Sequence, residues 1–210
     1  KAIQTDAHTL RLEGERALRY DRRVIATGAT AAMPEPPGMQ LEGVVKLDSM
    51  ADCQHILNLA RRTRRAVVVG GGITALELVE GLAARGVEVH YFLRGDRYWS
   101  AVLDEVESRI VERRLAHDGV EIHYHTNLVE VLGQKGRVTA VQAEEHGRPL
   151  TLPCQMAAFA IGIQPRMELA VQAGLSTHRD IIVDDHLRTS APDVFAAGDV
   201  AQVFDAQSGQ

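Results

Sequence analysis

Cysteine is scarce. Cys53 and Cys154 are the two in 210 residues, too few for a disulfide framework, and a chain of this length buries roughly 70% of its unfolded surface without one. A reducing compartment, the cytoplasm, is therefore the expected location. Long apolar runs are missing too. The longest, Ala66 to Ile73 and Met156 to Ile163, hold eight residues each, against the roughly 18 that suggest a membrane span. There is no basic excess: 23 Lys and Arg face 28 Asp and Glu, a net charge of −5, which argues against a nucleic-acid partner. Lys1 is not followed by a basic-then-apolar leader, and without an initiator Met the chain is expected to be cut from a longer one. The 18 Gly and 7 Pro show no collagen-like period, and no internal repeat or low-complexity tract appears. What remains, 45% hydrophobic and 24% charged residues, is ordinary globular content.

The first residues read as short strands at hairpin spacing, 2–5, 9–12 and 16–20, broken by Asp6-Ala7-His8 and Glu13-Gly14-Glu15. Val24-Ile25-Ala26 then runs into Thr27-Gly28. Three of the prolines crowd into Met33-Pro34-Glu35-Pro36-Pro37-Gly38, which excludes helix or central strand and marks an expected inter-domain linker. From Val44 helix and strand alternate. Asp48 or Ser49 caps a helix to about Ala60, and Arg65 to Val69 is a strand without polar alternation, as where both sheet faces are covered. A helix over 74–85 closed by Gly86, a strand over 87–93, a helix over 103–117 and a strand over 120–124 complete a βαβαβ series, hence a parallel sheet. The strands predicted at 128–132, 138–143 and 150–152 form an antiparallel meander, and 156–161 is a buried strand. A short helix over 167–173 and strands over 181–183 and 194–196 follow, with Val200-Ala201-Gln202 expected to begin a helix.

The strongest chemical signal is Val67-Val68-Val69-Gly70-Gly71-Gly72-Ile73-Thr74-Ala75. It is a G-x-G-x-x-A fingerprint between a strand and a helix, the setting in which the motif binds a dinucleotide. Gly70 permits the tight turn, Gly72 admits a pyrophosphate close to the backbone, and Ala75 lets the helix pack on the strand. Unpaired N–H groups and the positive dipole end then face the phosphates. After the second strand comes Phe92-Leu93-Arg94-Gly95-Asp96-Arg97. Leu93 stands where an acid would bind the 2′-hydroxyl of NAD, and Arg94 and Arg97 suit the 2′-phosphate of NADP. Asp96 keeps NAD open. Near the other end, Val194-Phe195-Ala196-Ala197-Gly198-Asp199 puts an acid at a strand's C-terminal edge, where Asp199 can accept hydrogen bonds from sugar hydroxyls.

The order Ala26-Thr27-Gly28, Gly70-x-Gly72 with Glu77, Ala160-Ile161-Gly162 with Pro165, and Thr189-x-x-Pro192-x-Val194-Phe195-Ala196-x-Gly198-Asp199 resembles the FAD-dependent pyridine nucleotide-disulfide oxidoreductase family. The likeness covers nearly the whole chain and is nearest to the nitrite, rubredoxin and ferredoxin reductase branch. It implies a Rossmann-like α/β NAD(P)-binding domain with a β-meander crossover, residues 42–165, inserted between pieces of an FAD-binding domain, residues 1–41 and 166–210. It further implies that Thr27 and Gly28 lie at the FAD-domain exit, that Asp199 binds the FAD ribityl chain, and that Glu77 and Gly162 line the nicotinamide pocket. From its residues alone Glu77 also reads as an exposed first-turn acid favoured by the helix dipole, and Gly162 as a bare strand-end turn. The family's first glycine fingerprint and any redox C-x-x-x-x-C pair would lie upstream of Lys1.

The expected activity is hydride transfer from NAD(P)H to FAD, with electrons passed to a redox protein, nitrite or a quinone. No nucleophile or general base is expected among the residues, family members commonly dimerise, and the isolated chain is expected to bind NAD(P) weakly and FAD not at all. The rival reading is a non-catalytic dinucleotide-binding module or subunit. A flavin-free dehydrogenase is set aside, because none of Tyr20, Tyr91, Tyr98 and Tyr124 has a lysine four residues on. Three further features have plain readings. Arg61-Arg62-Thr63-Arg64-Arg65 is a solvated helix end, Asp184-Asp185-His186 is a turn, and His123 with His125, sharing one strand face, lacks a third metal ligand nearby.

Overall fold

A computed structural model of the chain describes residues 2–203. They fall into two units, an outer one built from the stretches up to Thr30 and from Ile163 onward, and an inner one, Ala31–Gly162.

The outer unit opens with an antiparallel meander of β1 (Ala2–Gln4), β2 (Thr9–Arg11) and β3 (Ala17–Arg19), followed by β4 (Arg23–Ile25) and by β5 (Ala29–Ala31), whose last residue is the first of the inner unit.

The inner unit contains β6 (Val44–Lys46), α1 (Met50–Ala60), β7 (Arg65–Val69), α2 (Ile73–Ala83), β8 (Glu88–Phe92), α3 (Glu105–His117) and β9 (Glu121–His123). Then come β10 (Thr126–Gln134), β11 (Arg137–Glu145), β12 (Arg148–Pro153) and β13 (Met156–Phe159). Five strands make a parallel sheet in the order β6-β13-β7-β8-β9. The order reverses at β7: the chain steps outward through β8 and β9, crosses back by way of the antiparallel sheet β10-β11-β12, and lays β13 on the other side of β7. Val67, Val68 and Val69 explain why this strand is apolar throughout. Ala66 and Val68 enter the core shared with Leu78, Val79 and Leu82 of α2, while Val67 and Val69 enter a second core with Phe92, Phe159 and the meander residues Val131, Val138 and Val141. Neither face meets water, and each fully buried valine is worth about 1.5–3 kcal/mol.

The caps follow from side-chain chemistry. Ser49 accepts from the Asp52 N–H at 3.2 Å to start α1, and Asp104 with Glu107 forms a reciprocal capping box on α3. Helix α2 begins at Gly72 with no side-chain cap and no acid in its first turn. That excludes the first-turn reading of Glu77, which sits exposed just beyond it.

The proline-rich stretch is no linker. The inner unit begins at Ala31 rather than at 42 and ends at Gly162 rather than at 165. Val131 donates its N–H to the Pro37 carbonyl at 2.9 Å, and Met33, Met39 and Leu41 pack on the second core. Prolines prevent regular structure there but leave carbonyls free to accept.

The outer unit resumes with β14 (Ile163–Pro165), α4 (Glu168–Gln172), β15 (Ile181–Val183), β16 (Val194–Ala196) and β17 (Ala201–Val203). Strand β16 pairs in parallel with β4, Ala196 opposite Ile25, and their core includes Ile3, Ile25, Ile181, Val194 and Val200. The helix expected from Val200 is absent: residues 199–200 form a turn and β17 pairs in parallel with β15. Val200 is fully buried and its carbonyl accepts from Ile181 N–H at 2.8 Å. β-Branched residues beside a waiting strand edge prevail over local helix propensity.

Candidate functional site

The C-terminal edge of the inner parallel sheet brings three of the singled-out segments side by side. Val69 lies opposite Phe92 on one neighbouring strand and opposite Phe159 on the other. The glycine turn after β7 is therefore flanked by Arg94 to Arg97 after β8 and by Ala160 to Gly162 after β13. Hydrogen bonds fix that alignment: Gly70 N–H donates to Phe92 O at 3.4 Å, and Ala160 N–H to Val69 O at 2.9 Å. This is the crevice where a reversing strand order leaves room for a ligand in open α/β sheets.

The turn has the shape a pyrophosphate needs. Gly70 adopts φ +153° and a Cβ there would lie 2.2 Å from the Ala160 carbonyl oxygen, so only glycine fits. At Gly72 an added Cβ meets nothing within 4 Å: the space is open, and the uncapped first-turn N–H groups of α2 face it. Ala75 is fully buried against the sheet. Ile73 and Ile161 are exposed although large and apolar, one beginning α2 and one beside Gly162. Sequence reading passed over both, and the signal was a bulky apolar residue next to a turn glycine.

At the end of β8 the three positions behave differently. Leu93 is 2% exposed and belongs to the first core, so it offers a nucleotide nothing polar. Arg94 is exposed and has no hydrogen bond or ion pair among the described residues. Arg97 is half-buried and engaged, its guanidinium 3.5 Å from both the Asp96 carboxylate and the Ser100 carbonyl. Beyond it Tyr98 is buried. Burial, and then the charges of Glu80 and Glu77, raise the tyrosine's pKa, which keeps the hydroxyl protonated. Its oxygen is buried without a partner.

A second edge lies within the outer unit. The ends of β4 and β16 are adjacent, and Ala197 N–H donates to Ile25 O at 3.0 Å, so Thr27-Gly28 and Gly198-Asp199 emerge together. Thr27 Oγ1 donates to Arg166 O at 2.8 Å and Arg166 N–H to Gly28 O at 2.9 Å. Asp199 is exposed with no partner among the described residues, an acceptor suited to sugar hydroxyls. The N–H groups after it enter β17 instead of a helix end, so no helix dipole assists it.

A family profile for pyridine nucleotide-disulphide oxidoreductases matches residues 1–209. The chain belongs to this family. It is 36% identical to a nitric oxide reductase FlRd-NAD(+) reductase of Aeromonas salmonicida (strain A449), over 91% of this chain and 47% of that protein. It is 32% identical to a probable ferredoxin reductase, CtmF, of Castellaniella defragrans, over 95% of this chain and 48% of that one. Among solved structures, the ferredoxin reductase for the CYP199A2 system from Rhodopseudomonas palustris superposes with a TM-score of 0.94 at 30% identity, covering the whole chain and 51% of its counterpart. The chain thus spans about half the length of these relatives. The shared fold is the mixed α/β architecture expected from the sequence.

The features read plainly divide in the structure of this family member. Asp184 accepts from the N–H groups of His186 and Arg188 at 2.9 and 2.8 Å, a polar turn. The arginine run is only partly a solvated end: Arg61 and Arg64 are exposed, but Arg62 pairs with Glu42, and Arg65 with Glu88 at 2.8 Å. His123 and His125 do not share a strand face, because β9 ends at His123 and His125 turns away with φ 48°. Cys154 is buried, and burial pushes its thiol up to about 12; both cysteines are free. No helix among the described residues is long and apolar enough to cross a membrane.

Proposed function

We propose that this chain is the nicotinamide-binding unit, with flanking segments of a flavin-binding domain, of an NAD(P)H-dependent flavoprotein oxidoreductase that passes electrons to a small redox protein. One observation carries the reading: the Gly70–Gly72 turn stands open at the point where the strand order reverses, before an uncapped helix. In it Gly70, Gly72 and Ala75 hold the pyrophosphate. Arg94 pairs with the 2′-phosphate of NADPH, with Arg97 beside it in a supporting position, because no acid replaces Leu93. Glu77 and Gly162 border the nicotinamide end, where Ile73 and Ile161 exclude water. In the outer unit Thr27, Gly28 and Asp199 hold FAD, Asp199 accepting from its ribityl hydroxyls.

FAD, when bound, supplies the change from two-electron hydride chemistry to single-electron delivery. The chain's own residues bind, align and shield, and none acts as nucleophile or proton donor. The redox-protein acceptor is supported by the relatives named as a probable ferredoxin reductase and a nitric oxide reductase FlRd-NAD(+) reductase and by a related structure titled as a covalent putidaredoxin reductase–putidaredoxin complex. The two unpaired cysteines support a cytoplasmic setting.

The test is anaerobic mixing of the full-length protein with NADPH and with NADH while the flavin absorption band is followed. Bleaching of a bound flavin, faster with NADPH, is the expected result. Nucleotide binding without any flavin, before or after FAD is added, would establish the non-catalytic module instead.

A further inference from the structure

We propose that the inner unit carries a site for a divalent transition-metal ion, zinc first among them, built from His90, His123 and Glu121 on the paired strands β8 and β9. His90 lies opposite Glu121 in the parallel register, with His123 two residues on, so alternation aims all three side chains at one face of the sheet. His90 is 4% exposed and His123 7%. Their ring nitrogens, His90 Nδ1 and His123 Nε2, stand 2.9 Å apart. Glu121 carboxylate oxygens lie 3.6 Å from the first and 3.4 Å from the second. A tetrahedral ion with bonds of ~2.0–2.1 Å holds its ligands about 3.3 Å apart; the ring nitrogens stand somewhat closer than that, and the nearest carboxylate contacts, Oε2 to His90 and Oε1 to His123, lie near it. The donor set, two imidazoles and a carboxylate with a fourth place left for water, suits zinc and its first-row neighbours rather than magnesium or calcium.

The hydrogen-bond directions supply an independent argument. His123 Nδ1 is 2.8 Å from Glu145 Oε1, and a carboxylate only accepts, so Nδ1 carries the proton and Nε2 presents a lone pair. For His90 Nδ1 to bond with that lone pair it must be the donor, and in the neutral ring Nε2 is then bare. That atom is buried without a hydrogen-bond partner and looks toward a second acceptor, Glu88 Oε1, at 3.4 Å. A metal ion between the rings resolves the mismatch. Both facing nitrogens then present lone pairs to it, and each outer nitrogen carries a proton toward a carboxylate, His123 toward Glu145 and His90 toward Glu88, which Arg65 holds. Carboxylates behind imidazole ligands orient them in this way at metal sites. Glu121, with its side chain 63% exposed, opens the site to solvent. Such an ion would clamp β8 to β9 and, through Glu145, to β11.

The full-length protein, stripped with a chelator, is titrated with Zn(II) by calorimetry and with Co(II) by visible absorption, which reports tetrahedral geometry. One equivalent is expected to bind with a tetrahedral cobalt spectrum and to raise the Tm. Glu121→Gln, at an exposed position compatible with folding, and His123→Gln are each expected to weaken binding at least tenfold. His125→Gln and His186→Gln, the second removing the Asp184-Asp185-His186 cluster, are expected to leave it unchanged. Absence of stoichiometric binding, or binding that survives Glu121→Gln and His123→Gln, overturns the proposal. Because neither readout involves nucleotide or flavin, failure here is separate from failure of the oxidoreductase reading.

Discussion

Glu112, on α3, accepts a hydrogen bond from the backbone N–H of Tyr98 at 2.7 Å, while Ser108 one turn earlier donates to the Tyr98 carbonyl at 2.7 Å. Both polar groups of one loop residue are thus held by a single helix, and that loop carries Arg94 and Arg97. Glu112 is buried and is paired in turn with Arg109 at 2.7 Å.

Glu112→Ala leaves the Tyr98 N–H without a partner in a buried place. A hydrogen bond to a charged group is worth about 1.5–3 kcal/mol, so a loss of that order is expected in urea unfolding. Glu112→Gln keeps an acceptor and is expected to lose less. Equal stability of the alanine variant and the parent would show that the loop does not depend on this contact.

Gly70 and Gly72 separate folding from binding. Gly70→Ala puts a methyl group 2.2 Å from the Ala160 carbonyl oxygen and is expected to cost about 2–3 kcal/mol or more in stability. A Cβ added at Gly72 meets nothing within 4 Å, so the stability change of Gly72→Val is expected to stay within about 1 kcal/mol, the range of a capping substitution. Its nicotinamide nucleotide dissociation constant is nevertheless expected to rise at least about tenfold, ~1.4 kcal/mol. Unimpaired binding by Gly72→Val would remove the pyrophosphate from this turn.

Arg94 and Arg97 are expected to differ. Losing the guanidinium of Arg94 should weaken NADPH by roughly tenfold or more and leave NADH nearly untouched, since one charge-assisted hydrogen bond set is lost. Arg97→Ala should have the smaller effect, because its guanidinium already faces Asp96 and the Ser100 carbonyl. Fluorescence titration with both nucleotides decides, and equal weakening of NADH and NADPH by Arg94→Ala would end its 2′-phosphate role.

Cys154 makes the fold sensitive to alkali. Its folded pKa is raised to about 12 by burial, so its contribution is complete below the ordinary thiol range and is lost as pH climbs through the folded value, by at most about 1.4 kcal/mol per pH unit. Urea melts between neutral pH and about 11 should show this slope flattened in Cys154→Ala. The native protein should react with a thiol reagent at the half-buried Cys53 and at Cys154 only after denaturation. An unchanged slope in the variant would assign the alkaline loss to other groups, among them Tyr91, whose pKa burial also raises.

What was legible in the sequence was whatever short-range chemistry decides. Val67-Val68-Val69 before Gly70 announces a strand covered on both faces, and Asp48-Ser49 announces a cap for α1, which the structure gives to Ser49. Lys135-Gly136 and His146-Gly147 announce the two tight turns of the meander. What was hidden depended on distant partners. Ala201 to Val203 become a strand because β15 waits beside them, and the proline segment joins the inner unit because Val131 donates to Pro37. The sequence sets His123 beside His125, whereas the structure pairs it with His90 on another strand. The glycine motif after β7 says nothing of Glu112, which steadies the neighbouring loop from a separate helix.

The parallel pairing of β4 with β16 imposes an order on synthesis. Val194 to Ala196 leave the ribosome only after the whole of Ala31–Gly162, so the inner unit has every strand of its sheet available while the outer one still lacks β16. Domains generally fold as units as they emerge, and the outer pairing closes over a long loop that is shortened once that loop is already folded. Variants that slow the inner unit are therefore expected to leave Arg23 to Ile25 as an exposed strand edge in the nascent chain, the feature that chaperones and aggregation compete for. The assembly of the outer sheet is thus under the kinetic control of the inner one.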